Sequence, residues 1–114
     1  MSQVMPENDA QRELEAFLKA CHESPEPLQP SRALDKVWHA YLADERGYLA
    51  LCRSVGAPDA IPHHASYIDM EKYVRARDRM VPISTDPQRW WPAPGTDASW
   101  AKENIAECED SDWG

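Results

Sequence analysis

Apolar residues recur at helical spacing in several stretches of the chain, and no stretch of useful length alternates as a β-strand does. In the first stretch, Leu14 and Phe17 lie about one helical turn apart after suitable N-cap residues at positions 8 and 9. In the second, Ser31 is the predicted N-cap, and Trp38 belongs to the broadest apolar face of the chain. The pattern predicts two amphipathic helices before residue 43.

Prolines and glycines divide the rest of the chain. The three prolines within residues 24–30 must end the first helix, because each lacks a backbone donor. A third helix is predicted between Asp44 and Gly56, a fourth from residue 68 or 69 to residue 80, and a short one over 98–107. We therefore predict an all-α fold, a small bundle of about four helices with an irregular C-terminal segment.

Length and proline content suit one domain with two extensions. A chain of 114 residues buries one modest core. We predict a flexible N-terminus over residues 1–8 and a helical domain over 9–81. A Trp- and Pro-rich extension that ends in an acidic tail is predicted over 82–114.

The net charge and the cysteines limit the partners and the cellular location that we expect for this protein. A formal net charge of −8 argues against a general nucleic-acid binder. No apolar run approaches the roughly 20 residues that span a bilayer, and the first residues lack the pattern of a signal peptide. Three cysteines without a CxxC spacing argue against a disulfide framework. We expect a cytoplasmic protein, or a virion component if a phage encodes it, with a protein partner and no membrane or nucleic acid.

Candidate chemistry lies in the second and third helices and the loop after them. Asp35 and His39 are four residues apart and share a helix face. Cys52 is on the inward face of the third helix, and His63 and His64 are in the following loop. Imidazole and thiolate are ligands of Zn²⁺, so we take the four His and Cys side chains as candidate ligands. Asp35 is either a carboxylate ligand of the same ion or the partner that orients His39, and the spacing is consistent with both roles.

The same residues also have an interpretation without a metal, which we favour on the sequence. His39 then lies at the edge of the core with a hydrogen bond to Asp35, and Cys52 is a small buried apolar residue. His63 and His64 then fasten the loop. Catalysis would further require an open coordination position and a positioned base, neither of which the spacing reveals.

An ordered set of residues resembles a family of helical domains of unknown function, found in plant glycine-rich domain-containing proteins and in small bacterial and phage-type proteins. The positions that carry the resemblance are Pro30, Ser31, Leu34, Asp35, Val37, Trp38, His39, Tyr48, Cys52, Gly56, His63 and His64. The resemblance covers about residues 12–67. It implies a helical domain whose signature includes the positions of Asp35, His39, Tyr48, Cys52 and His64, and it implies no established activity. The chain departs from the family pattern at Ala65 and in a lengthened loop before His63.

Two further features have a structural and a functional interpretation. A basic run over residues 72–79 is either an RNA or phosphate surface or, as we favour, a solvated helix face that pairs with the chain's own acids. Near the C-terminus, the tryptophans Trp90, Trp91, Trp100 and Trp113 are candidate partner-binding residues. Alternatively, Trp90 and Trp91 fold back onto the helical core while Trp113 docks outward.

Three functions of different classes are compatible with these features. We favour a non-enzymatic interaction or assembly component, of which a phage structural or accessory protein is one example, and the presence of a structural metal is left open. The first alternative is a small metal-dependent hydrolase that uses the His and Cys side chains. The second is an acidic inhibitor of a nucleic-acid-binding protein, for which only the net charge argues.

Overall fold

The described part of the chain is built from helices and the loops between them. The computed structural model describes residues 5–26, 28–63 and 68–106. Its helices are α1 (Met5–Glu23), α2 (Arg32–Leu42), α3 (Glu45–Ser54), α4 (Met70–Met80), α5 (Pro87–Trp90) and α6 (Ala98–Asn104). Over these described ranges there is no β-strand, only an isolated antiparallel bridge between Ser31 and Ile105. The predicted all-α fold class is confirmed, and none of the helices described is long and apolar enough to cross a membrane.

Side-chain caps fix where three of the helices begin. The Ser31 hydroxyl accepts a hydrogen bond from the Leu34 amide at 3.1 Å, at the start of α2. Asp44 does the same for Gly47 at the start of α3, at 3.2 Å, and Asp69 caps α4. Each cap satisfies an amide that has no partner within its own helix. The predicted N-caps at Ser31 and Asp44 are therefore confirmed.

The core is built around α1, which lies against α2, α3 and α4. The Phe17 ring packs edge-on against Trp38 at 5.4 Å between ring centres, and it contacts Trp91 at 5.7 Å. Trp90 and Trp91 are 1% and 0% exposed, so the segment after residue 82 shares its core with the four long helices. The largest fully buried side chains are Trp90, Trp91, Tyr73, Phe17, Leu14, Leu18, Leu34, Met80 and Ile105.

A buried carboxylate joins α1 to the C-terminal segment. Glu13 is 0% exposed. Its oxygens accept hydrogen bonds from the Thr85 amide at 2.8 Å, the Thr85 hydroxyl at 3.0 Å and the Trp91 indole N–H at 2.8 Å. A buried carboxylate is tolerated only when such donors replace its water. Glu13 therefore connects two parts of the chain that lie far apart in sequence.

A second attachment brings the end of the described chain to the start of α2. The Gln29 side-chain amide donates to the Ala106 carbonyl at 2.7 Å, and the Ala106 amide donates to the Pro30 carbonyl at 3.2 Å. Together with the Ser31–Ile105 bridge, these bonds fasten residues 105–106 beside the first turn of α2. The N-terminus of the helix that carries Asp35 and His39 is thus attached to the end of the described chain.

Candidate metal centre

Helix α2 presents Asp35 and His39 on one face. The Ser31 cap sets the register of the first turn, and the four-residue spacing then stacks the two side chains along the helix. The Asp35 Oδ2 atom lies 3.2 Å from the His39 Nε2 atom. This pair is the part of the site that the sequence spacing predicts.

His63 completes the cluster from the loop that follows α3. Its Nε2 atom lies 2.7 Å from the Asp35 Oδ1 atom, so one carboxylate faces two imidazoles. The side chain of His63 is 3% exposed, that of Asp35 14% and that of His39 38%. His63 is therefore the most buried member of the cluster and His39 the most exposed.

Three buried side chains place the loop that carries His63. The Trp38 indole N–H donates to the Tyr48 hydroxyl at 3.0 Å, and that hydroxyl donates to the Ile61 carbonyl. The Ile61 amide in turn donates to the Cys52 sulfur at 3.4 Å. Both backbone groups of Ile61 are thereby fastened two residues before His63. The Trp38 ring also packs edge-on against the His63 ring, with 4.4 Å between ring centres.

The first bend of this loop requires a glycine. Gly56 has φ +103°, a conformation that L-residues adopt only under strain. The Ala57 amide then donates back to the Cys52 carbonyl at 3.1 Å and turns the chain toward α2. The predicted end of the third helix at Gly56 therefore also sets the direction in which the loop leaves.

Cys52 is 0% exposed, and its sulfur contacts the Ile61 amide in the loop that carries His63. Within the described part of the chain, the group of side chains that could hold a metal consists of Asp35, His39 and His63, without Cys52. Burial raises the pKa of the nearby Tyr48 phenol well above its ordinary value, against a smaller lowering by the Trp38 hydrogen bond. The phenol is thus a proton donor to the Ile61 carbonyl at any physiological pH.

The structure adds a second partner for Asp35. The sequence spacing relates Asp35 to His39 alone, whereas in the structure the carboxylate lies between two imidazoles and offers an oxygen to each. No spacing rule connects Asp35 with His63, 28 residues away, because the contact depends on the path of the loop. His64, the remaining candidate ligand, lies outside the described residues.

The donor atoms lie close enough together to surround a metal ion once the side chains move. The ligand atoms of the three residues all lie within 4.8 Å of one another. A tetrahedral ion with bonds of about 2.0–2.1 Å separates its ligand atoms by roughly 3.3 Å. The distance from Asp35 Oδ2 to His39 Nε2 is 3.2 Å and that from Asp35 Oδ1 to His63 Nε2 is 2.7 Å, so the carboxylate must turn to offer one oxygen to an ion that both imidazoles share. Two imidazoles and a carboxylate suit Zn²⁺ and other divalent transition metals.

A pocket adjoins the cluster. Its volume is about 240 Å³, and Asp35 and His63 are part of its wall. The wall also includes the apolar side chains of Leu28, Trp38 and Ile61. A ligand in this pocket would therefore lie beside the carboxylate and the more buried of the two imidazoles.

The tryptophans predicted to bind a partner lie in different environments. Trp90 and Trp91 are buried in the core, as described above. Trp100 is half-buried, and its ring packs edge-on against Tyr73 with 5.8 Å between ring centres. Trp113 lies outside the described residues. In the part of the chain that is described, Ile83 is the one large apolar side chain that is exposed.

Two of the four basic residues of α4 lie near acidic side chains of the same chain. Arg75 lies 3.8 Å from Glu26, and Arg79 lies 3.7 Å from Glu23. Arg77 instead donates through Nε to the Trp91 carbonyl at 2.9 Å. Exposed pairs of this kind contribute at most about 1 kcal/mol each. Their arrangement is the one expected of a solvated helix face.

Comparisons with known proteins leave the site to be interpreted on its own geometry. No protein-family model, curated protein or solved structure matches the chain. Asp35 and His39 belong to the cluster, and Tyr48 and Cys52 hold the loop that carries His63.

Proposed function

We propose that this chain is a small metal-binding helical domain in which Asp35, His39 and His63 hold one divalent transition-metal ion such as Zn²⁺. The observation that supports the proposal is the convergence of two imidazole nitrogens on one partly buried carboxylate. Binding of an ion there joins α2 to the loop after α3. Because the unfolded chain lacks this arrangement, the binding free energy also stabilises the fold.

Three ligands from the described residues favour an ion with an open coordination position. Structural zinc sites usually have four protein ligands, whereas catalytic sites have three and keep one place for water or a substrate. The 38% exposure of His39 and the adjoining pocket give solvent and small molecules access to that place. The ion in this proposal is therefore accessible to a small ligand.

Metal content tests the proposal directly. Tag-free protein, loaded with Zn²⁺ and then dialysed, is expected to retain about one ion per chain by elemental analysis. His39→Ala and His63→Ala should each weaken binding by more than about 100-fold, since loss of even an indirect support of a ligand costs 10–100-fold. His22→Ala, which removes an exposed histidine at the end of α1, should leave binding unchanged.

Two results would contradict the metal site. One is protein that retains no Zn²⁺, Co²⁺ or Ni²⁺ after dialysis although its circular dichroism shows the folded helices. The other is equal retention by His63→Ala and His22→Ala. In either case the cluster is a metal-free set in which Asp35 accepts hydrogen bonds from both histidines.

A role as a non-enzymatic interaction or assembly component stays a prediction from the sequence. Light scattering and a pull-down from the native host test it, and a strict monomer that captures nothing would contradict it. The acidic-inhibitor alternative likewise stays a prediction from the net charge of −8.

A metal-dependent hydrolase is the second candidate function, and the pocket beside Asp35 and His63 is the observation that favours it. A bound Zn²⁺ would supply a water of lowered pKa next to that pocket. Zn²⁺-loaded protein should then hydrolyse a small activated ester faster than His39→Ala does. Equal rates for the two proteins would exclude this candidate while leaving metal binding intact.

A further inference from the structure

The wall of the pocket combines a broad apolar surface with a few charged groups. The apolar part of the wall includes Leu28, Pro30, Trp38, Ile61 and Pro62. The volume of about 240 Å³ is below the 300–1,000 Å³ that is usual for drug-sized ligands. The pocket therefore suits a small molecule with an apolar body.

The wall contains two acidic side chains and one lysine. Glu26 lies 3.8 Å from Arg75, and Asp35 faces the two imidazoles. Lys72 lines the pocket from the first turn of α4 and has no ion pair among the residues described. A divalent ion on Asp35 would reverse the sign of the charge there, and Lys72 would add to it. The loaded pocket would thus attract an anion.

We propose that the metal-loaded pocket binds a small monocarboxylate with a short apolar body. The carboxylate occupies the open coordination position of the ion, Lys72 adds positive charge to the same pocket, and the apolar body lies against Trp38, Ile61 and Leu28. This inference rests on the proposed metal site. It adds the chemical class of the ligand, which the donor atoms alone do not specify.

The composition of the wall favours a carboxylate over inorganic phosphate. Phosphate is polar on every side, so the apolar wall would stay in contact with water when phosphate binds. A branched carboxylate satisfies the ion with one end and displaces water from that wall with the other. The neutral amide of the same shape lacks the charge and should bind poorly.

Cobalt(II) provides the measurement, since it occupies Zn²⁺ sites and its visible absorption responds to its ligands. Co²⁺-loaded protein is titrated with isobutyrate, isobutyramide and inorganic phosphate. We expect a saturable spectral change with isobutyrate, none with isobutyramide, and weaker binding of phosphate than of isobutyrate.

Two substitutions test the wall. Lys72→Gln should weaken isobutyrate about tenfold, the size of effect seen when a hydrogen bond to a charged group is lost, while Co²⁺ content stays the same. Lys19→Gln removes an exposed lysine of α1 that does not line the pocket and should change nothing. Leu28→Ala should weaken isobutyrate but leave acetate, which has a shorter apolar part, nearly unaffected.

The outcomes separate this inference from the proposed function. Protein that binds no Co²⁺ overturns both. Protein that binds Co²⁺ with a spectrum indifferent to isobutyrate overturns only the carboxylate pocket. The inference is also overturned if phosphate binds as tightly as isobutyrate, if isobutyramide is equivalent to isobutyrate, or if Lys72→Gln behaves as Lys19→Gln does.

Discussion

At the scale of single residues, the Tyr48 hydroxyl has an influence beyond its own contacts. It accepts from the Trp38 indole and donates to the Ile61 carbonyl, so it connects α2 and α3 with the loop that carries His63. A phenylalanine there would fill the same space without either bond. The position of His63 therefore depends on Tyr48, although the two hydrogen bonds of Tyr48 are made to other residues.

Tyr48→Phe is expected to lower the free energy of unfolding by about 1–3 kcal/mol, because it leaves a buried indole N–H and a buried carbonyl unsatisfied. It should also weaken Zn²⁺ binding, since Ile61 no longer fixes the approach to His63. Urea unfolding and Zn²⁺ competition measure the two effects. Tyr41→Phe is the control, because the Tyr41 hydroxyl bonds Gln11 at 3.0 Å in an exposed position. Equal effects of the two substitutions would contradict this role of Tyr48.

Cys21 illustrates a residue whose chemistry is suppressed by its surroundings. Burial raises the pKa of its thiol to about 12, against a smaller lowering by Arg79. At pH 8 the thiolate is then about one part in ten thousand, compared with about one in ten for an ordinary thiol of pKa 9.0. We expect iodoacetamide at pH 8 to leave Cys21 unmodified in the folded protein and to modify it in urea, as read by peptide mass spectrometry. Rapid labelling of folded protein would show that the thiol is accessible and ionised.

The same shift gives a pH dependence with a definite sign. The folded-state pKa of Cys21 lies above its unfolded value, so the folded state keeps a proton that the unfolded state loses. This contribution to stability is fully present below pH 9 and falls as the pH rises toward 12. Urea midpoints measured between pH 8 and pH 11 should decline less in Cys21→Ala than in the parent protein. Identical declines would exclude Cys21 as a cause.

At the scale of elements, the buried carboxyl group of Glu13 joins α1 to the residues that lie before and after α5. Three donors surround the Glu13 side chain, and none of these three belongs to a basic residue. The position of Trp91 is specified by one of these bonds, which a purely apolar contact would not provide.

Glu13→Gln keeps the shape of the side chain but turns one acceptor into a donor. The new amide N–H must then face either the Trp91 indole N–H or the Thr85 donors. We expect a loss of about 1–3 kcal/mol in the free energy of unfolding, measured by urea denaturation. Glu15→Gln, two residues along α1 at an exposed hydrogen bond to Gln11, should change stability by less than about 0.5 kcal/mol. A Glu13→Gln protein as stable as Glu15→Gln would contradict the argument.

Local patterns predict α1 to α4 because the spacing of apolar residues and the caps at Ser31 and Asp44 act within one or two turns. They offer the burial of Trp90 and Trp91 only as one of two interpretations, and they do not predict the contacts of Trp91, since its partners on α1 are more than 70 residues away. The site divides in the same way. The Asp35–His39 pair follows from helix geometry, whereas His63 reaches it only through the loop that Tyr48 and Cys52 hold.

At the scale of the whole molecule, the four long helices are incomplete without the segment that follows them. Replacing one buried tryptophan by a small residue typically costs about 3–5 kcal/mol, and small proteins have only about 5–15 kcal/mol in total. Trp90 and Trp91 are both almost fully buried against those helices. A chain cut after residue 81 would lose both, together with the partners of Glu13.

We therefore expect a fragment of residues 1–81 to lack a cooperative unfolding transition. Far-ultraviolet circular dichroism against urea measures this, with the full chain as the reference. If the fragment unfolds cooperatively with a similar midpoint, the helical region is a domain by itself and residues 82–106 only cover it.

The Glu13 bond also sets an order of events during synthesis. Glu13 and Trp91 are separated by 78 residues, which a ribosome translates in about 4–16 s at 5–20 residues per second. For that time the nascent chain contains the carboxylate but not the donors that permit its burial. Helix α1 must stay hydrated at this position until the second half of the protein emerges, so the nascent chain cannot close its core helix by helix.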